Sequence, residues 1–483
     1  MSRSDIQNLR ASVIGVLTAA WVTVSYAQTD RKPITLVITG GTVITMDARW
    51  RILSPGAVAI SGTDIVAVDT PEQIKLRFRA RDTIEVPESI VMPGLVNTHT
   101  HAPTALYRGL ADDRAPKEWL DKYIFPAEQK TLSPEFVRAG ARLAALEMIQ
   151  SGTTTFADMY YFEGDIAVEV KAAGLRAVLG QTIIQVPIGD VPNPEEGLAR
   201  AEAFIKAWRN DPLISPAVAP HAIYTVDAPL LVACRELSKR YEVATLIHVS
   251  ETKLEVQTSK ERYGVPPVAY LDSLGFLGPG VLVAHGIWVS EGEIATLRAR
   301  GVAVSHNPES NMKLASGVAP IPAYLKAGVT VGLGTDGPAS NNDLDMFEAM
   351  RVASLLAKVH SGDPEAVSAR TALEMATMGG ARALGLERKI GSLEPGKSAD
   401  VIAVAVNRAR QTPLYDPISH LVYTTRGDDV HLTVVNGRVL MRGRKVLTMD
   451  EHRVLSEARL MSKRVKAAVS RAAPVNSAPV PNR

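Results

Sequence analysis

Seven side chains suited to metal and proton chemistry recur at one kind of position in this 483-residue chain. His99, His101, His221, His248, His285 and His306 each stand at the carboxyl end of an apolar run, and Asp336 ends another. Imidazole is a common metal ligand and exchanges protons near neutral pH. In His99-Thr100-His101, residues two apart on an extended strand face one side, so both rings can address one ion. His248 follows Ala244-Thr245-Leu246-Ile247, and Glu251 comes three residues later. On a helix that pair would be a surface feature, but the β-type run before it places it where a strand opens into a loop. His285 ends Val281-Leu282-Val283-Ala284 in the same way. Each histidine alone reads as readily as a satisfied core residue; their recurrence at successive strand ends does not. Asp336, in Gly334-Thr335-Asp336-Gly337, either caps a turn or supplies the anionic ligand of a His₃Asp site. Such a site suits one Zn²⁺ or Fe²⁺ with a position open to water.

The elements that would carry these residues alternate between short apolar strands and helical patterns from 90 to 386. Eight strands are predicted, over 90–101, 153–160, 176–184, 215–221, 244–251, 281–285, 302–306 and 329–336. Helices are predicted over 135–151, 194–208, 228–241 and 344–359. Eight βα units predict an α/β fold, a (β/α)₈ TIM-type barrel over 92–386, whose active site belongs at the carboxyl ends of the strands. Residues 34–91 and 387–450 have a different texture, β-rich runs broken by Gly, Asp and Pro. They predict one small composite β-sandwich domain assembled from both ends of the chain.

Composition excludes several classes. With one cysteine, Cys234, the chain can form no internal disulfide, Cys-ligated zinc site or iron–sulfur cluster. Cys234 falls in a predicted helix and is expected to pack in the core. Residues 28–457 carry a net charge of −5, which leaves no electrostatic footprint for nucleic acid. At the amino terminus, Arg3 and Arg10 precede a 14-residue apolar run, Ala11–Val24, and then Ser25-Tyr26-Ala27. That is the three-part pattern of a signal peptide over 1–27, so export to the periplasm or medium is expected, with cleavage after Ala27 and no stable membrane span thereafter. From Ala458 onward there are six basic residues, no acidic ones and a Pro-rich end, so 458–483 is expected to be a disordered basic tail.

The ordered set of motifs resembles the amidohydrolase superfamily, in particular 5-methylthioadenosine/S-adenosylhomocysteine deaminases and the related triazine hydrolases. The matching segments are Pro93-Gly94-Leu95-Val96-Asn97-Thr98-His99-Thr100-His101, His248-Val249-Ser250-Glu251-Thr252, Ala284-His285-Gly286, Ser305-His306-Asn307-Pro308-Glu309-Ser310-Asn311, and the nine residues from Gly334 to Asn342. The resemblance spans roughly 34–450 and implies the barrel and the flanking β domain. It implies that His99, His101, His248 and Asp336 hold one divalent metal, zinc first and iron second, because the fourth strand has no lysine to bridge two. It further implies Glu251 as proton shuttle, His285 and Asp336 as groups that take the proton of the attacking water, and Glu128, His221, Glu251 and Asp336 as substrate contacts. The activity implied is hydrolytic deamination of an adenosine-like nucleoside or related aromatic N-heterocycle, a small-molecule substrate. Dechlorination or dealkylamination of a triazine, hydrolysis of a cyclic amide, and an inactive binding or structural homologue stay open, as does a homo-oligomer. Two departures stand out: Gln181 lies where the nucleoside deaminases carry an arginine, and no arginine lies between Arg176 and Arg200.

Overall fold

The computed structural model describes residues 31–470. The signal peptide expected over 1–27 and the last part of the tail, 471–483, lie outside the described residues.

Eight parallel strands run in sequence order through one sheet: β1 (Leu95–Thr100), β2 (Thr153–Tyr160), β3 (Arg176–Ile183), β4 (Ile214–Pro220), β5 (Ala244–Val249), β6 (Val281–His285), β7 (Ala303–His306) and β8 (Thr330–Leu333). Between β8 and β1 the ring is joined by other bonds. Thr98 Oγ1 donates to Leu333 O at 2.9 Å, Thr335 N to Asn97 Oδ1 at 3.1 Å, and Asp336 N to His99 O at 2.9 Å. The barrel interior is filled by Val96, Ala157, Met159, Val178, Ala217, Ala219, Leu246, Leu282 and Ala303, one or two from each of β1 to β7. Helices between the strands begin and end on local chemistry. Helix α1 (Pro134–Ser151) starts where the Ser133 side chain accepts Phe136 N and Pro134 occupies the first turn, and stops at Gly152 in the left-handed region. Cys234 is buried against Ile205, Val218 and Leu237.

The small domain is a sandwich of two sheets. Four strands from the amino-terminal segment form one, in the order Asp64–Asp69, Ala57–Ser61, Lys32–Thr39, Phe78–Glu85. The other has seven strands, and at its centre Ser89–Pro93 pairs antiparallel with Val401–Ala405, so both chain ends contribute to it. Ile38, Val58 and Ile60 of the first sheet pack on Val91, Val401 and Val434 of the second.

Two expectations need correction. The strand predicted over 90–101 is two strands: Ser89–Pro93 belongs to the small domain, and only Leu95–Thr100 is barrel, so 92–93 fall on the other side of the expected boundary at 92. The break is at Gly94, whose N bonds Asp400 O, and where a Cβ would lie 2.1 Å from Thr154 Oγ1. Second, 458–470 is not disordered but continues helix α2 (Glu451–Ser470). Val454, Ala458 and Val465 are buried, with Met461 partly so, and the spacing of four, three and four makes an apolar stripe. Glu457 and Arg464 pair with Arg142 and Glu135 of α1 at 2.8 and 3.1 Å.

Barrel and sandwich are tied by a buried ion pair. Arg176, at the start of β3, places Nε 3.0 Å from Asp400 Oδ2 and Nη2 3.2 Å from Oδ1, with further bonds to Ser398 Oγ and Pro212 O. Arg176→Met strands a buried carboxylate and is expected to cost about 3–5 kcal/mol. Urea unfolding read by tryptophan fluorescence checks this, and the Arg176→Met/Asp400→Leu double variant should recover most of the loss. An unchanged midpoint in the single variant would remove the clamp from the account.

Candidate active site

At the carboxyl ends of the strands, His99, His101, His248, His285, Asp336 and Glu251 converge. His99 and His285 are buried, as are His248 and Asp336. Asp336 Oδ1 lies 3.5 Å from His99 Nε2 and 3.4 Å from His101 Nε2, and its Oδ2 lies 3.8 Å from His285 Nε2. His248 Nε2 is 3.3 Å from His101 Nε2. His221 sits one residue beyond β4, its Nδ1 2.8 Å from Thr225 Oγ1 and its carbonyl on His248 Nδ1. His306, by contrast, is buried with Nδ1 unpartnered and does not line the cavity.

Backbone geometry aims these groups. Ser250, His285 and Asp336 have φ of 54°, 71° and 63°, left-handed values rare for residues with a side chain. Three strands therefore leave the sheet through strained turns beside one centre. Gly337 permits the last approach, because a Cβ there would meet Thr104 Oγ1 at 2.7 Å and His101 Cβ at 3.0 Å.

Second contacts set the proton positions. His101 Nδ1 donates to Met159 O at 2.7 Å and His248 Nδ1 to His221 O at 2.8 Å. A carbonyl only accepts, so each Nδ1 carries a proton, and the two Nε2 atoms face each other across 3.3 Å, where at least one of them must be unprotonated. His99 Nε2 is buried with no hydrogen-bond partner. Burial pushes the His99 imidazolium down to about 4, against the opposing pull of Asp336, and holds His248 well below its usual range. Burial raises the Asp336 carboxyl, but the His99 contact and neighbouring imidazoles outweigh it and hold the group well below the carboxylate range. Three converging imidazoles and one carboxylate are the donor set of a divalent metal. His99, His101, His248 and Asp336 fit one ion and account for the close Nε2 pair.

Glu251 stands opposite, its Oε2 3.9 Å from His285 Nε2. Burial raises the Glu251 carboxyl above its usual value, as a group that must hold a proton requires. Its loop is braced by Glu255, whose two oxygens accept Ser250 N at 2.9 Å and Glu251 N at 2.8 Å. The opening is a cavity lined by His101, His221, His248, His285, Glu251 and Asp336 at one end. Glu128 lies across it, buried, accepting Tyr160 OH at 2.7 Å, with its carboxyl pushed up to about 7 by burial. All eight residues expected at the site therefore meet around one cavity or its metal centre. Four further residues were not anticipated. Glu255 braces Glu251, Ser310 Oγ donates to Asp336 Oδ2 at 2.7 Å, Asn311 Oδ1 accepts His285 Nδ1 at 2.9 Å, and Tyr160 holds Glu128. Ser310 and Asn311 stand in the motif that follows His306; Glu255 carries no comparable signal.

The family model described as the amidohydrolase family matches residues 90–440. The chain belongs to that family. This amidohydrolase is 47% identical over 431 residues to a 5-methylthioadenosine/S-adenosylhomocysteine deaminase of Syntrophobacter fumaroxidans, covering 89% of this chain and 98% of the relative. Among solved structures, an adenosine deaminase from Xanthomonas campestris with bound zinc superposes with a TM-score of 0.89 at 40% identity, over 90% of this chain and 100% of the other. An atrazine chlorohydrolase from Arthrobacter aurescens complexed with zinc gives 0.80 at 26% identity, over 89% and 100%.

Metal analysis of the purified protein should find about one divalent ion per chain. His248→Ala and His101→Ala are each expected to lose it, with more than tenfold weaker binding in competition with a chromogenic chelator. Binding by either variant as tight as that of the unaltered protein would remove that histidine from the ligand set.

Proposed function

We propose that this amidohydrolase is an exported, zinc-dependent hydrolytic deaminase of adenosine-type nucleosides. The observation that carries the reaction type is the placing of two buried carboxyls with opposite tendencies, Glu251 raised and Asp336 lowered, on either side of His285. When bound, a divalent ion supplies the Lewis acid that makes water nucleophilic near neutral pH. The chain's own groups do the rest. Asp336 and His285 take the proton of the attacking water, and Asn311 keeps His285 Nε2 turned to it. Glu251 donates its proton to the ring nitrogen beside the carbon under attack, which makes that carbon electrophilic. The proton held by Asp336 and His285 passes to the departing amine, and Glu251 recovers a proton from the adduct's hydroxyl as it becomes the oxo group, so water and an amino-purine become an oxo-purine and ammonia. Glu128 and His221 lie where they can bind the rest of the substrate. The nucleoside class is supported by the activities named for the Syntrophobacter and Xanthomonas proteins.

Glu251→Gln is expected to lower kcat for ammonia release from adenosine by about 100-fold or more while metal content stays at the unaltered level. Substantial turnover in that variant would sink the assignment. Export rests on the amino-terminal pattern ending at Ala27. Amino-terminal sequencing of the native protein should begin at Gln28, in the periplasmic fraction or the medium. A chain retaining Met1 in the cytoplasm would overturn it.

A further inference from the structure

The segment that carries Glu128 is poorly equipped to hold its own shape. It is three short helical pieces in succession, Pro116–Trp119, a π-helical stretch Leu120–Ile124, and Phe125–Thr131, none with a side-chain cap at its start. Helices this short are marginal in water and depend on what packs against them. On the inner side Trp119, Leu120, Ile124, Phe125 and Glu128 line a cavity rather than a filled core. Two bonds tie the segment inward, Tyr160 OH to Glu128 Oε1 at 2.7 Å and Tyr107 OH to Thr131 Oγ1 at 2.6 Å. The rest of its support must come from outside.

That support is helix α2, which packs on α1, on the turn Ala102–Tyr107 that follows His101, and on Phe125–Thr131. Its Glu457 and Arg464 pair with Arg142 and Glu135, two helical turns apart on each helix, so α1 and α2 run antiparallel. Glu135 stands in the first turn of α1, so residues 465–470 pass beyond that helix and reach the Glu128 segment. There Val465 is buried and Val469 partly so, both against the main apolar core. The turn after His101 has a separate anchor, since Asp158 Oδ1 accepts Ala102 N at 2.6 Å.

We infer that the last turns of helix α2 are a positioning element for substrate binding, holding Glu128 at the cavity from outside. In what it says of substrate, the inference rests on the deaminase reading. No residue of these turns lines the cavity. The metal ligands and Glu251 stand at the strand ends of the barrel and keep their places when the turns are loosened. The Glu128 segment does not, because it loses the backing that its short helices require. The result is weaker substrate binding with an unchanged chemical step.

The test uses the metal-loaded protein, with Val465→Asp and a second variant, a chain ending at Met461, that removes the turns outright. Arg453→Ala, at the far end of the same helix, is the control. In the first two variants KM for adenosine should rise about tenfold, with kcat within about twofold and metal content unchanged. Amide hydrogen exchange should quicken across 116–131 and stay as it was at the strand ends bearing His99, His248 and Asp336. In a Glu128→Gln background, adding Val465→Asp should raise KM by no more than about twofold further, because both changes remove the same contact. Arg453→Ala should match the unaltered protein in every readout. Unchanged KM, or unchanged exchange across 116–131, would overturn the inference. Loss of protection throughout the barrel would overturn it too, since the helix would then serve folding and not the site. Absence of ammonia release by the unaltered protein would overturn the deaminase reading alone, and exchange across 116–131 would still decide whether α2 holds the segment.

Discussion

Two imidazole nitrogens face each other across 3.3 Å beside a carboxylate, and much of the structure exists to hold them there. Left to themselves these groups would part or take up a proton. Several constraints prevent both. The Met159 and His221 carbonyls consume the Nδ1 protons, burial disfavours imidazolium, and left-handed turns at His285 and Asp336 deny the strand ends a relaxed exit. The strain is local, while the barrel that opposes it is a nearly closed ring with a packed interior.

The same arrangement divides labour between two carboxyls. Asp336 accepts bonds from Ser310 Oγ and Gly337 N and sits among imidazoles, all of which favour its ionised form. Glu251 has burial and the Asp336 charge against its ionised form, with His285 and His101 in partial support, so it retains a proton more readily. One residue type thus serves as ligand and as acid, and environment alone makes the difference. Glu255 matters to this division. By accepting two backbone N–H groups it fixes the loop on which Glu251 rides without entering the cavity.

The legible parts of the sequence were those in which a side chain's chemistry and an element's period coincide. Apolar runs ending in His248 or His285 marked strands, and strands in alternation with helices marked the barrel. Glu128 and His221 came through resemblance, since neither has a neighbouring pattern of its own. What could not be read falls into two physical kinds. Backbone partners such as Met159 O have no residue signature at all. Boundaries set by long-range pairing were also hidden: 90–101 is β-type on both sides of Pro93-Gly94, and it is Val401–Ala405, some 300 residues away, that pulls its first half into another sheet. In the carboxyl-terminal helix the strong signals of charge and proline masked a weaker apolar stripe at Val454, Ala458, Met461 and Val465.

That hidden boundary explains why the sandwich should be built from both ends of the chain. Ser89–Pro93 leaves the sandwich and, after Gly94 alone, becomes the barrel strand bearing His99. Four residues of extended chain separate Gly94 from that ligand, too few to absorb a displacement, so the small domain sets the register of the first metal strand. Gly94 N bonds Asp400 O at 3.0 Å, and Asp400 in turn holds Arg176 of β3. Residues from the far end of the chain therefore fix two barrel strands against one another at the face opposite the chemistry. The sandwich acts as the base on which the first two ligands are positioned, although it contributes no atom to the cavity.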